Sequence, residues 1–116
     1  MIYVREVDGK GRGVFAGKRF AKGETIEQAP VIILPNPQWE FLEQTVLRDH
    51  YWYWNEDAMA FCLGYGSLYN HSTDPNAGVA RKFEQNIMEF IALRNIEVDE
   101  EITIDYDCPL WFEVVP

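Results

Sequence analysis

Eight residues near the middle of the chain, Tyr69-Asn70-His71-Ser72-Thr73-Asp74-Pro75-Asn76, set the tightest limit on its fold. Asn, Ser and Asp side chains bond nearby backbone and so favour turns over regular structure. The residue before a proline is pushed out of the helical region, which adds Asp74 to the break. Apolar runs flank the stretch on both sides. Spacing alone therefore reads it as a polar loop joining two strands.

The flanks agree with a sheet. Ile2 to Val7 alternates loosely as a strand, and Asp8-Gly9 turns it toward a second short strand beginning at Val14. Thr25 to Gln28 and Val31 to Leu34 are separate β candidates. Asn36-Pro37 opens the clearest helix, with Asn as cap, Pro in the first turn, and Trp39, Leu42 and Val46 as a core-facing stripe through Leu47. His50 to Trp54 is aromatic throughout and fits a strand or loop packed on the core, or a self-association surface. Gly78 to Phe83 and Ile87 to Leu93 read as a hairpin through Glu84-Gln85-Asn86, and Ile102 to Tyr106 as a final short strand. The pattern is mostly β with one or two short helices, in a single domain over residues 1–116.

Ten Lys and Arg against 19 Asp and Glu give a net charge of −9, which repels nucleic-acid backbones and favours basic partners. No apolar run approaches the roughly 20 residues that span a bilayer, and the start lacks a secretory pattern. The chain is expected inside the cell, in the cytoplasm if bacterial, with no membrane partner. Cys62 and Cys108 lie far apart without Cys-x-x-Cys spacing and read as ordinary thiols, so no metal site is expected.

Gly11-Arg12-Gly13-Val14-Phe15-Ala16, then Asn70-His71-Ser72 with Pro75-Asn76, then Glu100-Glu101-Ile102-Thr103-Ile104-Asp105-Tyr106 stand in an order that carries more than any one of them. Together they resemble the SET-domain family of protein-lysine methyltransferases, over about Tyr3 to Tyr106. The nearest likeness is to short stand-alone members from bacteria and viruses. The resemblance implies small curved sheets around a knot-like C-terminal segment, S-adenosylmethionine as methyl donor, and lysine in a basic peptide or protein, such as a histone-like tail, as acceptor. Self-association as a homodimer is a further expectation for so small and aromatic a chain. A catalytically silent module that binds a peptide or partner protein is the rival reading.

By the same resemblance, the backbone of Gly11 and Gly13 approaches the donor's methionine part, and Arg12 lies near its carboxylate. Taken alone, the two glycines fit a tight turn equally well. Asn70 is implied to bond the donor's amino end and His71 to meet its adenine, largely through backbone. Tyr106 is implied as the catalytic tyrosine beside the sulfonium. Trp111 is a candidate to stack on adenine, and Tyr65, Ile104 and Phe112 are candidates for the substrate channel. Glu100, Glu101, Asp105 and Asp107 read as a solvated acidic rim. The chain departs from the family pattern at three places. Leu68-Tyr69 replaces a common Arg-Phe, Ile104 replaces a common aromatic, and no zinc-binding cysteine-rich tail is expected after the domain.

Overall fold

The longest strand organises the observed fold. In the computed structural model, which describes residues 1–9 and 11–105, β3 (Thr25–Pro35) runs 11 residues and changes partner along its length. Its first half pairs with β8 (Ile87–Ala92) and its second half with β5 (Ala58–Cys62). Pro30 sits at the changeover, where the missing N–H costs no ladder bond and its carbonyl accepts from Leu63 N at 2.9 Å. The two β candidates expected from the sequence, Thr25 to Gln28 and Val31 to Leu34, are thus one strand that continues through Ala29 and Pro30.

With β4 (Tyr51–Asn55) and β7 (Ala77–Lys82) this makes a five-stranded sheet, ordered β4-β5-β3-β8-β7. The sheet curls until its edge strands meet. Arg81 Nε on β7 donates to the Tyr53 carbonyl on β4 at 2.8 Å, and the rings of Trp54 and Phe83 lie 4.9 Å apart. Alternation decides what faces inward: Met88, Phe90 and Ala92 on β8, and Trp52 and Trp54 on β4, are buried. The aromatic run at His50 to Trp54 is therefore a core-packed strand with Tyr53 left outside. The expected hairpin β7–β8 is present, closed by Asn86 at φ 52.

The second sheet holds four strands in the order β1-β2-β9-β6, where β1 is Ile2–Val7, β2 Gly11–Ala16, β6 Asn70–His71 and β9 Glu101–Ile104. Both sheets together give the expected mostly β architecture, with one short α-helix among the described residues. The knot-like passage expected of the C-terminal segment falls on residues 106–116, outside those described.

The expected helix from Asn36 to Leu47 needs correction. It is a 3-10 turn (Asn36–Gln38), one turn of α-helix α1 (Trp39–Leu42) and a second 3-10 turn (Val46–Asp49), with no residue buried. Thr45 breaks it: its backbone is extended, and its hydroxyl accepts from Leu47 N at 3.1 Å. Nor does Asn36 act as the cap. Its amide donates to the Glu56 carbonyl at 2.7 Å, tying the segment to the β4–β5 turn. The stripe Trp39, Leu42 and Val46 is not core, and Val46 is 84% exposed.

Cys62 is a buried thiol 3.2 Å from Met88 Sδ, and burial pushes its pKa up to about 12. Glu89 behaves in the opposite sense. It accepts from Thr25 Oγ1 at 2.5 Å and pairs with Lys82 at 3.0 Å, and the Thr25 bond leads in holding its carboxyl below the ordinary 4.5. A lowered carboxylate stabilises the fold above its unfolded pKa and loses that contribution as pH falls through the folded one. Urea midpoints of Glu89→Gln should accordingly lose part of the wild-type fall below pH 4.5. Parallel acid limbs for the two proteins would refute the assignment.

Candidate functional site

The central loop and the last described strand meet in the second sheet. β9 lies between β2 and β6, antiparallel to the first (Val14↔Ile102, Phe15↔Glu101) and parallel to the second (Asn70↔Thr103, His71↔Ile104). A parallel ladder of two residues cannot arise from a local turn. Asn76 supplies what holds it. This side chain is 2% exposed, donates to the Glu101 carbonyl (2.8 Å) and to Glu100 Oε2 (3.2 Å), and accepts from Thr103 N (2.8 Å). A buried amide so completely bonded is a structural pin. Ser72 adds its amide to the Ile104 carbonyl at 2.9 Å, and its hydroxyl accepts from Asp74 N at 3.0 Å.

Three distant segments converge on Gly13. The Asn70 side-chain amide donates to the Arg12 carbonyl at 3.1 Å and to Glu101 Oε2 at 2.7 Å. An alanine Cβ at Gly13 would stand 2.5 Å from Glu101 Oε2 and 2.8 Å from Asn70 Nδ2. Glycine is thus required here by close approach, whereas Gly11 has open space but φ 77. Both amide hydrogens of Asn70 are spent on these two acceptors, leaving its oxygen as the group it offers a ligand. An oxygen acceptor beside the Glu101 carboxylate suits a cationic donor such as an ammonium.

His71 Nδ1 lies 3.7 Å from Asp105 Oδ1, both partly buried. Tyr69, directly before Asn70, is core: it is 1% exposed, stacks 4.5 Å from Phe90, and donates its hydroxyl to Glu27 Oε1 at 2.8 Å. Burial, then the Glu27 charge, drives its pKa upward. The same carboxylate accepts from Tyr65 N at 2.9 Å. One partly buried carboxylate therefore anchors both ends of the approach to Asn70.

The structure brings Gly11, Arg12 and Gly13 on β2 and Asn70 and His71 on β6 into one sheet, on either side of β9. Ile104, read as a channel residue, is fully buried in the core, and Tyr65 is exposed beyond the end of β5. Tyr106, Cys108, Trp111 and Phe112 lie outside the described residues. Glu100 and Glu101, expected in a solvated rim, are instead tied to neighbouring groups. Glu101 is bonded to Asn70, and Glu100 to Asn76 and to Glu97 N at 3.0 Å. The available signal was alternation: Ile102 and Ile104 face the core, which turns Glu101 and Thr103 to the other face, where Asn70 lies.

A family model for the SET domain matches residues 11–107, which begins at the glycines and takes in the central loop and β9. The chain belongs to the SET-domain family. One relative, a histone-lysine N-methyltransferase of Schizosaccharomyces pombe described as specific for lysine 37 of histone H3, is 35% identical over 113 residues, 97% of this chain and 77% of that one. A crystal structure of a candidate histone methyltransferase from Plasmodium falciparum superposes with a TM-score of 0.71 at 34% identity, covering 91% of this chain and 96% of that one. In this SET domain the glycine, Asn-His and Glu-Glu segments are thus joined through side chains of their own: Asn70 and Glu101 meet over Gly13. Among the described residues no helix is long and apolar enough to cross a membrane.

Proposed function

We propose that this SET domain transfers a methyl group from S-adenosylmethionine to the side-chain amine of lysine in a basic protein or peptide. The observation that supports it most is the oriented oxygen of Asn70, held beside Glu101 where it suits the donor's amino end. Gly11 and Gly13 would present backbone to the methionine part, Arg12 would meet its carboxylate, and His71 would border the adenine. When bound, S-adenosylmethionine supplies an electrophilic methyl on a sulfonium. Tyr106 and Trp111 are assigned to this site by family likeness, Tyr106 to hold the reactants in line and Trp111 to stack on adenine.

The acceptor must arrive as a neutral amine. Free lysine has a pKa near 10.4, so about one in 10³ is neutral at pH 7, a gap of roughly 4–5 kcal/mol. Apolar channel walls disfavour the ammonium and close part of that gap. Tyr65 and Phe112 are the residues proposed for those walls; Ile104, whose side chain faces the core, is not. With its net charge of −9, the chain attracts Lys- and Arg-rich substrates over distance. The two histone methyltransferase relatives make a histone-like tail the first substrate to try.

Isothermal titration with S-adenosylmethionine, followed by mass spectrometry of basic peptides incubated with it, tests the reading. Donor binding and mass gains of whole methyl groups on lysine are expected, falling by about tenfold or more in Tyr106→Phe. Peptide binding without any mass gain would instead select a silent module.

A further inference from the structure

Away from the glycine site, the outer face of the five-stranded sheet carries an apolar surface that the transfer reaction does not use. Register places Ile32 and Leu34 of β3, Phe61 and Met59 of β5, and Tyr51 and Tyr53 of β4 on this one face. The broken helical segment at 36–49 lies across part of it. Trp39 Nε1 donates to the Tyr51 hydroxyl at 2.8 Å, and that hydroxyl donates to Glu43 Oε2 at 2.9 Å. Between segment and sheet is an open groove of about 290 Å³, with Met59 and Leu34 as floor and Phe41, Leu42 and Leu47 as walls. Met59 is buried, yet Phe41 is 64% and Trp39 50% exposed. The groove is lined from the five-stranded sheet and the 36–49 segment, whereas Gly13, Asn70 and Glu101 belong to the other sheet, so the two share no residue.

Apolar side chains held in this way, with no core layer to receive them, mark a contact surface. The charge around the groove selects the occupant. Residues 36–57 carry Glu40, Glu43, Asp49, Glu56 and Asp57 against a single arginine, Arg48. Two copies facing each other would juxtapose these carboxylates, which costs association free energy. We propose that the groove docks a basic amphipathic segment of a partner protein, with one or two apolar side chains entering between Phe41, Leu47 and Met59 and Arg or Lys flanking them. The volume suits anchor residues of a peptide rather than a whole domain face.

The test uses a fluorescent helical peptide with leucines at i, i+3, i+4 and i+7 and arginines elsewhere. Arginine in place of lysine keeps it from serving as a methyl acceptor, and anisotropy needs neither donor nor turnover, so failure of methyl transfer and failure of docking are told apart. Binding to the full chain is expected with a dissociation constant of about 10 μM. Phe41→Asp should weaken it by about tenfold or more, and Glu40→Lys with Glu56→Lys should weaken it and flatten its salt dependence. All three positions are exposed, so the fold tolerates the changes. Absent binding, equal binding of a peptide with glutamates for arginines, or equal binding by Phe41→Asp overturns the proposal. Sedimentation showing a dimer that Phe41→Asp dissolves would assign the groove to a second copy and overturn it as well.

Discussion

Replacing Gly13 with alanine should raise the dissociation constant for S-adenosylmethionine by about 10²-fold and cost about 1–3 kcal/mol of stability. The added carbon would fall 2.5 Å from Glu101 Oε2, 2.8 Å from Asn70 Nδ2 and 3.0 Å from Val7 Cγ2. Side-chain ends often yield cheaply, but these two are bonded to each other at 2.7 Å. Moving them breaks the contact that orients Asn70. The double variant Gly13→Ala/Glu101→Ala should therefore be less unstable than the sum of the single ones, as expected when two changes share one collision. Urea unfolding and titration with the donor measure both quantities. Wild-type affinity in Gly13→Ala would show that the Asn70–Glu101 arrangement has no part in holding the donor.

Phe90→Ala is expected to cost about 3–5 kcal/mol, the range for a fully buried aromatic. Phe90 is inaccessible, its ring lies 4.5 Å from Tyr69 and 6.0 Å from Trp52, and its strand is bonded on both sides. A domain of this size has a total stability of about 5–15 kcal/mol, so the variant should be close to half unfolded at modest urea. The cavity opens against Tyr69, the residue before Asn70, and the folded fraction should also bind donor more weakly. Phe83→Ala is the control, since Phe83 is exposed and packs its ring against Trp54 at 4.9 Å. If both substitutions cost the same, burial at Phe90 is not what stabilises the approach to the site.

Local pattern carried much of this protein. Alternation at Ile87 to Leu93 marks the inward Met88 and Phe90 directly, because successive side chains on a strand point to opposite faces. The three motifs, in order, pointed to the family that the SET-domain match then established. Periodicity failed where a face had no layer to meet. Trp39, Leu42 and Val46 recur at helical spacing, yet Thr45 breaks the helix and the stripe stays outside the core.

What the linear chain determined by itself was which residues are apolar, which segments extend and where they turn, since these follow from backbone sterics and short-range bonding. Neighbours were decided only in three dimensions. That Asn70 bonds Glu101, 31 positions away, and that β9 slots between β2 and β6 depend on which strands pair, and strand propensity is the same for every partner. Glu101 looked like one more solvated acid until that pairing set it over Gly13.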